Sequence, residues 1–147
     1  MLENMTTNFA YHQMFDSFLA EVSLGRQRVT RQRYQRVFTH LDLFLDHVDV
    51  TPHLGTHPAA LLSAEREFDS AGAFQRVFGP FELMCCLPGF IEPPWLLPGA
   101  QEARVQVSLT GRLLAWLRTN GYVDVHIDSC AYLETKSIID RARRALP

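Results

Sequence analysis

The sequence predicts an all-α fold, a single-domain orthogonal bundle of about six helices. Three observations carry this. Apolar side chains recur at i, i+3, i+4 and i+7 over long stretches, the stripe of an amphipathic helix. Glycine, proline and asparagine separate those stretches, at Gly25, Pro52, Gly55, Gly79-Pro80, Pro88-Gly89 and Asn120-Gly121. The alternating segment "YVDVHIDS" (122–129) has no obvious partner strand elsewhere and reads as an extended linker. A chain of 147 residues is one domain by length, large enough to bury a core without metal or disulfide staples.

The first helix is expected over 9–24, on the stripe Tyr11, Met14, Phe15, Phe18, Leu19 and Val22, after a flexible 1–8 segment. Asn8 is placed to cap its start and Gly25 to close its end. A second helix is expected over 31–49, with Thr30 as N-cap and Val29 and Tyr34 as a hydrophobic staple. Its stripe is Tyr34, Val37, Phe38, Leu41, Phe44, Leu45 and Val48. "VDVTPHLGTHP" reads as a loop, followed by a helix over 58–68 with Thr56 as its cap.

A shorter helix over 69–78 precedes the Gly79-Pro80 break, and "FELMCCL" (81–87) reads as a buried helical segment stopped by Pro88-Gly89. Residues 88–99, "PGFIEPPWLLPG", hold four prolines and two glycines and read as a rigid internal connector. Phe90, Ile91, Trp95 and Leu96 are its anchors to the core. A long helix over 100–121 carries Val105, Leu109, Leu113, Trp116 and Leu117 on one face and Val107 and Leu114 on another, the pattern of a central helix. Gly111 in its middle points to close approach by a neighbour, since glycine there costs about 1 kcal/mol against alanine. A last amphipathic helix is expected over 130–146.

Charge is segregated along this framework. The formal net charge is -2, which counts against a dedicated nucleic-acid domain. Yet Arg26, Arg28, Arg31, Arg33 and Arg36 fall within eleven residues with no acid among them. Residues 38–73 then hold six acids against Arg66 alone, and the C-terminal end turns basic with Lys136, Arg141, Arg143 and Arg144. Arginines beside a helix N-terminus suit phosphate, because orphan N–H groups and guanidinium forks both donate to oxygen. The same arginines also fit a solvated face paired with acids of the next turns.

Other chemistry finds no carrier. Cys85, Cys86 and Cys130 include no C-x-x-C and read as buried thiols of a reducing cytoplasm. No secretory signal and no run of eighteen apolar residues is present, so no membrane role is expected. The histidines His40, His47, His53 and His57 lack zinc-ligand spacing and read as surface or rim residues. Asp124, His126 and Asp128 would align on a strand, but not on a linker. No nucleotide loop or nucleophile elbow occurs. The expectation is a non-enzymatic chain with no cofactor, no metal and no evident small-molecule substrate.

Residues 15–48 carry Phe18-Leu19, a polar link, Thr30, Tyr34 and spaced Phe38, Leu41, Phe44 and Leu45, and residues 103–123 end in Trp116, Leu117 and Gly121. This layout resembles the SAM-like core-binding domain of tyrosine recombinases and phage integrases, over about half the chain. The resemblance implies an orthogonal helical bundle that clamps DNA backbone or binds a partner. That family's catalytic arginine, lysine, H-x-x-R box and nucleophilic tyrosine have no counterpart here, and no histidine is followed by arginine at the third position. Strand cleavage is therefore not expected. The expected function is DNA-backbone contact through Arg26, Arg28, Arg31, Arg33 and Arg36, helped by Arg141, Arg143 and Arg144. The alternative is a protein-interaction module, as a homodimer or an accessory subunit.

Overall fold

Leu83, Met84, Cys86, Leu87, Pro88 and Phe90 are all buried, so the helix that carries them has almost no polar side and lies inside the bundle. A computed structural model describes the backbone of residues 2–147 and the side chains of residues 11–147. The first helix begins at Leu2 rather than at the expected residue 9, so Asn8 lies inside it and not at its cap. The described chain is all-α, with no strand. Its helices are α1 (Leu2–Ser23), α2 (Arg28–His47), α3 (Thr51–Leu54), α4 (Thr56–Phe68), α5 (Ala73–Val77), α6 (Pro80–Phe90), α7 (Ala100–Thr119) and α8 (Ser129–Ala145). Eight helices among the described residues exceed the expected six or so because α3 and α5 are single short turns.

The aromatic seam between α1, α2 and α7 follows the predicted stripes. Phe15 meets the edge of Phe38 at 5.2 Å between centroids, Phe18 packs on the same ring, and Trp116 closes the far side against Phe18 at 5.6 Å. Burying a ring such as Phe18 contributes about 2–3 kcal/mol. Trp116 is only half-buried; it stacks on Tyr122 and its Nε1 donates to Glu21. α6 and α7 pack on each other and on α8, and α7 also backs α2. Gly111 is where α8 comes close: a Cβ there would stand 3.3 Å from Ile139 Cγ2 and nearer still to the Arg143 guanidinium.

Several boundaries differ from expectation, each for a local reason. α2 begins at Arg28 with Gln27 as its N-cap, and its first helical bond runs from Arg31 N to Gln27 O at 3.1 Å. Thr30 is therefore inside the first turn and caps nothing. Val29 is 55% exposed, so no staple forms. The expected loop after α2 contains α3, because Asp49 Oδ1 accepts from Thr51 N, Pro52 fits a first turn and buried Val50 anchors it. Gly55, at φ 92°, then turns the chain into α4 and takes the cap position assigned to Thr56. α6 does not stop at Pro88 but runs through it to Phe90. Phe90 and Ile91 both reach the core only if that last turn continues. Gly89 fits because His53 of α3 lies against it, where a Cβ would stand 2.7 Å from Nε2.

The connector is held against α7 and α2 by a polar clamp. Gln106 of α7 is 0% exposed. Its Nε2 donates to Phe90 O (2.8 Å) and Trp95 O (3.1 Å), and its Oε1 accepts from Leu97 N (2.8 Å). His40 of α2 also bonds Trp95 O, at 2.6 Å, while the Trp95 ring packs edge-on against Phe44. The 122–129 segment is a turn rather than extended: Asp128 N donates to Asp124 O (2.8 Å), and Asp124 Oδ1 accepts from His126 N (2.8 Å).

Candidate nucleic-acid interface

The candidate site begins with a tight corner. Ser23 ends α1, Gly25 takes φ 74°, and Arg26 N returns to Ser23 O at 3.0 Å. Glycine is suited here because the left-handed region carries no Cβ penalty for it. The link to α2 is four residues long, and Gln27 is extended with no side-chain bond to the helix start. The first turn holds no acid. The opening N–H groups of α2 thus lack both an intrahelical acceptor and a capping side chain, and the positive end of the helix dipole is uncovered.

Around that end stand the five arginines. Arg26, Arg28, Arg31 and Arg36 are exposed and Arg33 is half-buried. At about 100° per residue, the four on α2 fan over roughly 200° of its outer side. Arg31 and Arg33 flank the buried stripe on opposite edges, with Arg28 and Arg36 between them. Among the described residues none of the five forms an ion pair, so the pairing with acids of the next turns is not made. The acids of 38–73 have other duties. Asp46 accepts from Gly72 N (3.1 Å), Asp49 accepts from Thr51 N (3.0 Å), and Glu65 binds Arg76 at 2.6 Å. Arg66 caps the C-terminal end of α2, donating to Val48 O (2.8 Å) and Leu45 O (3.0 Å).

The C-terminal arginines divide. Arg143 lies over Gly111 in a cleft of about 280 Å³ shared with Arg112, Lys136 and Asp140. Arg112 donates to Tyr34 Oη at 3.2 Å, so Arg143 stands next to a cation that is bonded to α2. Arg144 is exposed near the end of α8. Arg141 turns the other way, lining a separate cleft with Ile91 and Glu92 of the connector. Arg112 is the residue that sequence reasoning missed. Its one signal was position, directly after the glycine that lets α8 approach.

A second feature lies along the same helix. A groove of about 900 Å³ runs between the outer side of α2 and the start of α7, with Arg33, Arg36 and His40 among its lining residues. On the other side of α2 a cleft of about 450 Å³ gathers Asp16, Asp42 and Asp46 with α5. Asp42 has its carboxyl pushed up, first by partial burial and then by Asp46. Burial lifts the thiols as well, Cys85 to about 11 and Cys86 to about 12, so neither supplies a thiolate near neutral pH. Cys130, expected to be buried, is exposed on the outer face of the first turn of α8. The histidines are scattered: His40 bonds the connector, His47 Nδ1 meets Leu43 O of its own helix, and His57 and His126 are exposed. No cluster of three metal-ligating side chains occurs among the described residues. Nor is any helix of the described residues long and apolar enough to cross a membrane.

No known protein family, curated protein or solved structure matches this chain.

Proposed function

We propose that this domain binds DNA non-enzymatically, gripping the phosphate backbone with Arg26, Arg28, Arg31, Arg33 and Arg36 at the start of α2. One observation carries the reading: five arginines without an ion-pair partner among the described residues run from the corner before α2 into its third turn, and the helix start among them has no capping side chain and no acid in its first turn. Both the orphan N–H groups and the guanidinium groups donate to phosphate oxygen. Arg143 extends the grip through the cleft it shares with Arg112, which bonds Tyr34, whereas Arg141 lines another cleft and contributes little. The resemblance to the core-binding domains of recombinases supports the same reading. Three free thiols, one of them exposed, fit a reducing cytoplasmic setting. The test is a duplex titration at low salt with the Arg26→Gln, Arg28→Gln, Arg31→Gln triple variant. Binding weakened by tenfold or more supports the reading; binding equal to the parent sinks it.

A second reading, a protein-interaction module, is favoured by α4. That helix buries only Leu62 and leaves Leu61 and Phe68 exposed seven residues apart, Phe68 at 88%. Sedimentation decides it: self-association lost in Phe68→Ser supports this reading, and a strict monomer at high concentration removes the homodimer.

A further inference from the structure

The groove beside α2 has a polarity of its own. Its size lies within the range of small-molecule sites, about 300–1,000 Å³. Its floor is apolar: Leu43, at 49% exposure, and the exposed parts of half-buried Leu97 and of Val105, which also packs on the core, present aliphatic surface to the groove. At the α2-start end stand Arg33 and Arg36, one turn apart and without an acid partner among the described residues. His40 lies on the next turn with Nε2 held by Trp95 O. Asp46 lies ten residues beyond Arg36, about 15 Å along the helix, and Glu102 lines the groove from α7. The groove is thus cationic where α2 begins, aliphatic in its middle and anionic toward Asp46.

We infer that this groove binds a medium-chain alkyl carboxylate. The carboxylate is received by Arg33 and Arg36, whose forks match it in geometry and charge. The chain then lies over Leu43, Leu97 and Val105, where it covers surface now open to water. Asp46 repels a carboxylate at the other end, so the orientation with the carboxylate on Arg33 and Arg36 is favoured. The inference is separate from DNA binding except that Arg33 and Arg36 serve both, while Arg26, Arg28 and Arg31 lie outside the groove.

The experiment is a calorimetric titration with decanoate, with methyl chemical shifts of Leu43, Leu97 and Val105 followed in parallel. Saturable one-to-one binding with shifts confined to the groove is expected. Arg33→Gln and Arg36→Gln are each expected to weaken it roughly tenfold. Leu43→Gln, a second variant at an exposed position, is expected to weaken it as well. Arg26→Gln, Arg28→Gln, Arg31→Gln should bind decanoate like the parent even where it loses DNA, which separates the two readings. The inference is overturned by no saturable binding, by decylammonium binding as tightly as decanoate, or by affinity indifferent to Arg33, Arg36 and Leu43.

Discussion

Gln106 is the residue on which the connector depends. It sits in the middle of an apolar helix face, and its amide satisfies two carbonyls and one N–H of residues 90–97. Gln106→Leu keeps most of the volume but strands Phe90 O and Leu97 N, while Trp95 O keeps its bond to His40, and an unsatisfied buried group costs about 1–3 kcal/mol. A loss of about 3 kcal/mol is expected, read from urea unfolding with the slope unchanged. Nothing in the sequence marked this glutamine, since one polar residue on a helix reads as surface until its neighbours are known. Asp42 gives a pH-dependent counterpart. Its folded pKa is raised above the ordinary 3.8, so the folded state favours its protonated form. Its contribution to stability is full below that value and is lost as pH rises through the folded pKa. Asp42→Asn should therefore raise the melting temperature at pH 7 and leave it unchanged near pH 3. A variant that melts lower at pH 7 contradicts the crowding of Asp42 with Asp46 and Asp16.

At the scale of helices, the stripes were legible and the ends were less so. Most of the expected stripe residues of α1, α2 and α7 are buried, because a stripe depends only on which side meets the core; Leu19, Val105 and Trp116 are half-buried, and α7 also buries Ala103, Gln106 and Thr110, which the apolar spacing did not select. Ends depend on what lies beyond them. α2 starts a turn early, with Gln27 extended at its N-cap and its carbonyl accepting the first helical bond, and α6 passes Pro88 to end on buried Phe90. Gly111 is the case where local pattern and packing agree, a costly glycine where α8 approaches closely. Gly111→Leu would push Ile139 and Arg143 off α7 and should destabilise the fold by about 2 kcal/mol, the usual size of overpacking. Stability equal to the parent would mean that α8 can slide, and would weaken the case for Arg143 standing beside Arg112.

For the whole molecule, the fold class followed from helical period and breakers alone, whereas the direction of the arginines required three-dimensional packing. The net charge of -2 conceals an arginine-rich start to α2 because the acids are used internally or lie on the other side of that helix. The sequence raised phosphate contact and internal ion pairing side by side; the fold makes no such pair for the five arginines among the described residues, and places Arg143 and Arg141 in two separate clefts, with Arg144 exposed. The central claim concerns counter-ion release, and the salt dependence of duplex binding tests it most directly. Four or five phosphate contacts give log K against log salt a slope of about -4. Removing Arg26, Arg28 and Arg31 should flatten that slope by between 2 and 3, roughly one per arginine. A parent slope near zero, or one left unchanged by the triple substitution, would contradict the account.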